Sequence, residues 1–197
     1  MTAAHEIHGH AIVSDDDKIA AADGSMPESL TNAADWARFQ RELDRAAVVM
    51  LGRKGHESHA NVHKRNRVVL SSSARGIEKR EDAWWWNPAD APLAGALAAA
   101  APQGGIVSVP GGRRVFDFFL DHGYDEFHLA RARGIRIRDG VPLFSACASG
   151  RSAEEVLAAH GLVPYPVDIL DAWAGVSVTV WQKHKRNRRG QPDFTGA

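Results

Sequence analysis

The chain has 197 residues, 44% hydrophobic and 24% charged, with a formal net charge of zero. That length suits one well-buried domain rather than two, and the charge balance gives no overall pull towards nucleic acid or an acidic membrane surface. Cys147 is the only cysteine, which excludes an intramolecular disulfide. No apolar run is long enough to span a membrane and no signal-like apolar segment opens the chain, so the expectation is a cytoplasmic enzyme or binding protein.

In chain order, His5–Ser14 (HEIHGHAIVS) reads as a first strand, Asp15–Lys18 as a turn and Ile19-Ala20 as a short extended piece. Residues 21–31, punctuated by Gly, Ser and Pro, read as a long loop of the kind that is functional or disordered. Asn32 can cap the next helix with Asp35 three residues on, as in a capping box. Trp36, Phe39, Leu43 and Ala46 then share one helical face. At about 100° per residue, Asp35 falls at the edge of that face beside Phe39. A carboxylate at the border of core and solvent can relay a proton. Capping fits the same pattern, and both roles can hold together.

Ala47–Leu51 is a continuous apolar run and reads as a strand buried on both faces. Gly52-Arg53-Lys54-Gly55 follows, with another helix beginning in 56–60. Arg67–Leu70 is a second short buried strand, ended by Ser71-Ser72-Ser73, whose hydroxyls can bond a sugar or phosphate or simply make a turn. No periodicity sends all of Trp84, Trp85 and Trp86 into a core. At least one is expected at the surface, as a subunit contact or a lid; a packed loop is the alternative. Leu93–Ala101 reads as an alanine-rich helix that stops at Pro102.

Ile106–Val109 is a further strand, which Pro110 should end because it has no N–H for the ladder. Gly111 and Gly112 allow a sharp turn and leave the backbone open to a ligand. Arg113 and Arg114 sit where the next helix starts, with Val115, Phe118 and Phe119 at helical spacing. Free N–H groups at a helix start favour an anion, and two arginines strengthen that preference. The alternative is a tight turn with solvated arginines, since the G-x-G-x-x-G fingerprint is not present. Asp125–Ala130 reads as a strand, and Ile135–Arg138 and Val141–Phe144 flank Asp139-Gly140, a hairpin signal. Ser152-x-x-Glu155 caps a short helix that stops at Gly161. Residues 176–182 alternate as a half-buried antiparallel strand, and 183–197 read as a basic, flexible tail.

Strands alternating with helices predict a three-layer α/β domain over 1–182, its central sheet mostly parallel with an antiparallel C-terminal edge. Ligands of such sheets bind where the strands end. The two basic glycine turns and the serine run all follow strands, so all three can face one dinucleotide. Two positive clusters, Arg53/Lys54 and Arg113/Arg114, exceed what a single pyrophosphate needs, which favours NADPH over NADH. No metal site is expected. His56, His59 and His63 have helical spacing around Glu57, but the stretch runs into Asn61 and Lys64-Arg65 without an H-E-x-x-H pattern. His5, His8 and His10 along the first strand read as packed or solvent-facing. Cys147 has no histidine or acid near it in sequence, so nothing supports it as a nucleophile.

In their order and spacing these pieces resemble the dihydrofolate reductase superfamily over roughly 8–145, and most closely its riboflavin-biosynthesis reductase branch. They are Ala11–Ala20, Gly24-Ser25-Met26-Pro27, Asp35-x-x-x-Phe39, Val49–Lys54 with Glu57-Ser58, Arg65-x-Arg67–Ser72, Gly111–Phe116 and Asp125-Glu126-x-x-Leu129. The resemblance implies hydride transfer from NADPH to a C=N bond of a pterin-like or aminopyrimidine substrate. It implies cofactor contacts at Gly52, Arg53, Lys54, Ser71, Ser72, Gly111, Gly112, Arg113, Arg114 and Val115, with Asp35 as the proton-relay acid. It also implies substrate contacts at Met26 in the active-site loop, at the Phe39 ring and at Arg65, which would meet a substrate carboxylate. A homodimer follows by analogy with the riboflavin branch. The chain departs from the pattern at Glu28, Gly55 and Ala130 and carries an insertion over 145–174, and no deaminase domain is present. The alternatives are a true dihydrofolate reductase and a non-catalytic nucleotide-binding or oligomeric scaffold.

Overall fold

The computed structural model describes residues 3–184. Twelve strands and five helices follow in chain order: β1 (His5–Val13), β2 (Lys18–Ala20), α1 (Ala33–Arg45), β3 (Val48–Gly52), α2 (Arg53–Ser58), β4 (Arg67–Leu70), β5 (Ile77–Arg80), β6 (Ala83–Trp86), α3 (Leu93–Ala100), β7 (Gly105–Gly111), α4 (Arg113–His122), β8 (Glu126–Ala132), β9 (Val141–Pro142), α5 (Ala153–Ala159), β10 (Leu162–Pro164), β11 (Asp168–Asp171) and β12 (Val176–Lys183). Ten strands form one sheet in the order β10-β12-β8-β1-β7-β3-β4-β6-β5, with β11 also on β12. The centre, β8-β1-β7-β3-β4-β6, is parallel. β12, β10 and β11 on one side and β5 on the other are antiparallel. This is the predicted mostly parallel sheet with an antiparallel C-terminal edge. The expected tail falls, from residue 185 on, outside the described residues.

One face of the sheet is closed by α3, α4 and α5 over a single large apolar cluster that includes Met50, Trp86, Phe116, Phe119, Phe127 and Phe144. Gly9 in β1 is required there: a Cβ would lie 2.2 Å from the Phe127 ring. The other face carries α1, whose Phe39 and Leu43 pack with Val49, Leu51, Val69 and Trp85 in a much smaller cluster.

Three local expectations are corrected. β7 does not stop at Pro110 but runs to Gly111. Val49 pairs with Ser108 and Leu51 with Gly111, so β7 carries one residue more than β3 there, and Pro110 lies in that bulge. Asp139-Gly140 does not join a hairpin. Val141–Pro142 pairs instead with Lys18–Ala20, because Ile137 is buried with Leu30, Ala132 and Val176 and its N–H is held by the Asp16 carboxylate. The tryptophan run is a strand, β6, with Trp86 fully buried and Trp84 and Trp85 half-buried, so none of the three is exposed. Lys79 and Arg80 on the neighbouring strand cover the Trp84 and Trp85 rings. The exposed tryptophans are Trp36 and Trp173.

The 145–174 segment is built into the sheet. α5 starts at a complete Ser152/Glu155 capping box, and β10 and β11 line β12 as the last edge. Tyr165 N–H bonds Val180 O, so the alternate positions, Pro164 and Pro166, face outward and leave that edge without N–H donors at those positions.

Candidate active site

β4, β3 and β7 end level with one another. Gly52 pairs with Leu70 and Leu51 with Gly111, so Gly52, Ser71 and Gly111–Gly112 lie along one edge of the sheet. α2 begins at Arg53 with Gly52 as its N-cap, and α4 at Arg113 with Gly112 as its N-cap. A Cβ on Gly52 would lie 3.4 Å from Val115 Cγ2, so the two helix starts adjoin. Neither N-cap offers a side-chain acceptor, which leaves the Arg113 and Arg114 N–H groups at the start of α4 to face the edge; Val115, expected as a cofactor contact, instead donates its N–H to Gly112 O and buries its side chain in the core. Gly111 holds φ +111°, and a Cβ there would meet the Phe116 ring at 2.6 Å; a Cβ on Gly112 would meet nothing. Arg53 reaches along its helix to Glu57 at 3.3 Å, an exposed pair that contributes little. Among the described residues no carboxylate pairs with Lys54, Arg113 or Arg114. Ser71 Oγ bonds Ser73 Oγ at 2.8 Å, and Ser72 is exposed. Met26 is exposed in its loop, where the Asp23 carboxylate bonds the Ser25 N–H and hydroxyl and is held below its usual range mainly by them.

Asp35 lies in the first turn of α1. Asn32 Oδ1 accepts from the Ala34 and Asp35 N–H groups. The return bond of a capping box is not made among the described residues, so the Asp35 carboxylate is not spent on capping. Burial pushes its pKa up, against the pull of Arg38 one turn on. Phe39 packs against Trp36 and the His10 ring. Arg65 is already engaged: its guanidinium grips Asp44 at 2.6 Å and bonds Gln40 O. Ala130, where the family resemblance leads one to expect threonine, is buried between Ile12 and Val178.

The structure also assembles a polar cluster that the sequence reading missed. Register between β1 and β8 sets His8 beside Glu126 and His10 beside His128. His8, Glu126 and His128 each offer a ligand atom within 4.8 Å of the others. Arg38 Nη2 donates to His128 Nδ1 at 2.7 Å, and His128 Nε2 lies 2.6 Å from Glu126 Oε1. That last contact is short but off the axis of the ring nitrogen, which therefore has no directed partner. Among the described residues both His10 nitrogens and Ser108 Oγ likewise lack partners, and burial lowers the His10 pKa well below its usual value, so that ring is neutral. The helical histidines of the sequence reading do not gather. α2 ends at Ser58 before His59, His56 faces Trp85 and Asp82, and His59 bonds Gly55 O.

The fold is that of the dihydrofolate reductases and the riboflavin-pathway reductases. A dihydrofolate reductase from Enterococcus faecalis, complexed with NADP(H) and RAB-propyl, superposes with a TM-score of 0.63 at 13% identity, covering 94% of this chain and all of that one. A putative riboflavin biosynthesis protein from Shewanella sp. PV-4 gives 0.62 at 16% identity over 91% of this chain and 99% of its own. The Thermotoga maritima diaminohydroxyphosphoribosylaminopyrimidine deaminase/5-amino-6-(5-phosphoribosylamino)uracil reductase gives 0.60 at 16% identity over 91% of this chain but only 57% of its own. No family model and no curated protein sequence matches the chain. No helix of the described residues is long and apolar enough to cross a membrane.

Proposed function

We propose that the protein is a cytoplasmic NADPH-dependent reductase that saturates a C=N bond of a pterin-like or aminopyrimidine heterocycle. The observation that carries this reading is the level ending of β4, β3 and β7, which puts two uncapped, arginine-bearing helix starts and a serine run on one edge. The site fits a phosphate-rich dinucleotide: Gly112 leaves room for close backbone approach, the α4 N–H groups and dipole favour a pyrophosphate, and Lys54, Arg113 and Arg114 have no carboxylate to neutralise them among the described residues. NADPH, when bound, supplies the hydride.

Asp35, half-buried and with its pKa raised, holds a proton for the substrate nitrogen at neutral pH better than a solvated aspartate would. Phe39 gives the heterocycle an apolar wall. Arg65 is committed to Asp44, which favours a substrate without a carboxylate tail over dihydrofolate. A second copy of the chain would find Val163, Tyr165, Val167, Ile169 and Trp173 exposed along the β10–β11 edge; with prolines closing its outer backbone, docking there would be through side chains.

The test is a fluorescence titration with both nucleotides. NADPH is expected to bind at least about tenfold tighter than NADH, ~1.4 kcal/mol; equal affinity, or no binding of either, overturns the reading. A screen of reducible pterins, flavins and ribosylated pyrimidines for NADPH consumption then names the substrate.

A further inference from the structure

We propose that His8, Glu126 and His128 form a binding site for a divalent transition-metal ion, and that Arg38 competes with the ion for His128. The site lies on the α1 face, where His8 is level with Ser108 in the middle of β7 and His128 packs on the His10 ring, and it goes beyond the reductase reading. Its ligands come from adjacent strands: His8 pairs with Glu126 across β1 and β8, and His128 is two residues further on the same face. Two imidazoles and a carboxylate are a borderline donor set, suited to Zn2+, Ni2+ or Co2+ rather than Mg2+ or Ca2+. Gln182 Nε2 donates to Glu126 Oε2 at 3.0 Å and orients that carboxylate.

Two further observations point to a ligand. A cleft of about 190 Å³ opens beside His8 and Glu126. Among the described residues its charged walls are Glu6, Asp125 and Glu126 against a single lysine, Lys183, whose ammonium reaches towards Gly123, with His8 and His184 also lining it. In addition, His128 Nε2 is fully buried with no directed partner among the described residues. It approaches Glu126 Oε1 at 2.6 Å off the ring-nitrogen axis, so both groups already turn towards one shared point that a cation could take.

Arg38 makes the proposal specific. A guanidinium can only donate, so His128 Nδ1 must accept and the neutral ring carries its hydrogen on Nε2. A metal on Nε2 needs the other tautomer, with the hydrogen on Nδ1 facing Arg38. Bound metal and the Arg38 bond therefore exclude each other, unless the ring were to lose both hydrogens.

The experiment is Co2+ titration of the metal-stripped full chain, read by its visible absorption bands and by calorimetry, without nucleotide. Wild type is expected to bind one equivalent, His8→Ala at least about tenfold more weakly, and His59→Ala as wild type. Arg38→Gln, which replaces the donor by an amide that can accept from Nδ1–H, is expected to bind about tenfold more tightly. Binding unchanged in His8→Ala, weaker binding in Arg38→Gln, or no saturable binding by either wild type or Arg38→Gln overturns the proposal. Circular dichroism of each variant separates lost folding from lost ligands. Because no nucleotide is present, failure here leaves the reductase reading untouched.

Discussion

Phe127 and His128 are neighbours in β8 and face opposite layers; so, one strand over, do Gly9 and His10. Phe127 goes to the face under α3, α4 and α5, where apolar side chains fill the layer, Gly9 clears space for its ring and Trp181 Nε1 is the one buried side-chain polar atom without a partner among the described residues. His128 goes to the face under α1, where the buried polar atoms of His10, Ser108 and His128 lack directed partners among the described residues and Asp35 keeps a carboxyl with a raised pKa. A buried polar group without a hydrogen bond costs folding free energy. The α1 face is therefore built for something other than stability, and the opposite face must supply the stability that makes this tolerable.

The largest effect should come from opening the closed face. Phe127 is fully buried against Phe116, Tyr124 and Phe144. Phe127→Ala is expected to cost about 3–5 kcal/mol in urea unfolding, the usual range for an aromatic cavity. A loss below about 1 kcal/mol would mean that the two faces do not differ in the way described.

Asp35→Asn acts on the other face and in two directions. Turnover should fall by roughly 10²-fold, the lower end for a general acid, with NADPH affinity kept. Stability should move the opposite way. Asp35 has a folded pKa above its ordinary 3.8, so between those two values the folded state binds more protons than the unfolded one, and stability falls as pH rises. That loss is complete above the folded value and absent below the ordinary one. The asparagine variant should therefore unfold at a higher temperature than wild type at pH 7, and the gap should close as pH falls towards 3.8. In the wild type, turnover should fall as pH rises through the folded pKa, and the variant should lose that limb. Equal turnover, or a variant less stable at pH 7, removes Asp35 from the mechanism.

What the sequence made legible was local. Gly52 with Arg53/Lys54 and Gly111-Gly112 with Arg113/Arg114 each announce a strand end, a tight turn and a helix start within a few residues, and the sheet order brings them to one edge. The edge of α1 where Asp35 stands follows from helical period alone. What was not legible depends on partners far along the chain. Pro110 is tolerated because β3 pairs across a bulge, which no pattern in 105–111 reveals. Asp139-Gly140 carries a good hairpin signal, but burial of Ile137 and the Asp16 acceptor outweigh it. The histidine cluster joins residues 118 and 120 positions apart, whereas helical spacing along the sequence points only to His56, His59 and His63. An in-register pair of parallel strands was needed to bring His8 to Glu126. Only the alternation of His8 and His10, both even-numbered in a strand of otherwise mixed character, hinted that one face was polar.

His10 gives the smallest and most discriminating effect. It is 5% exposed, packs on Phe39 and His128, and makes no hydrogen bond from either ring nitrogen among the described residues. Replacing a buried group that makes no hydrogen bond by an apolar one of similar size removes a desolvation penalty and leaves most of the packing. His10→Leu should thus raise stability by about 1 kcal/mol, read as a higher urea midpoint with an unchanged slope. The same substitution made on the closed face, at a residue already apolar, has no such penalty to relieve. If His10→Leu instead lowers stability by more than about 1 kcal/mol, the imidazole is bonded in solution, and the α1 face is less polar at its own expense than the unpartnered atoms imply. If stability rises while turnover is kept, His10 is a structural residue of that face. If stability rises while KM rises with kcat unchanged, the ring nitrogens bind substrate and the polar face is the floor of the pocket beneath Phe39.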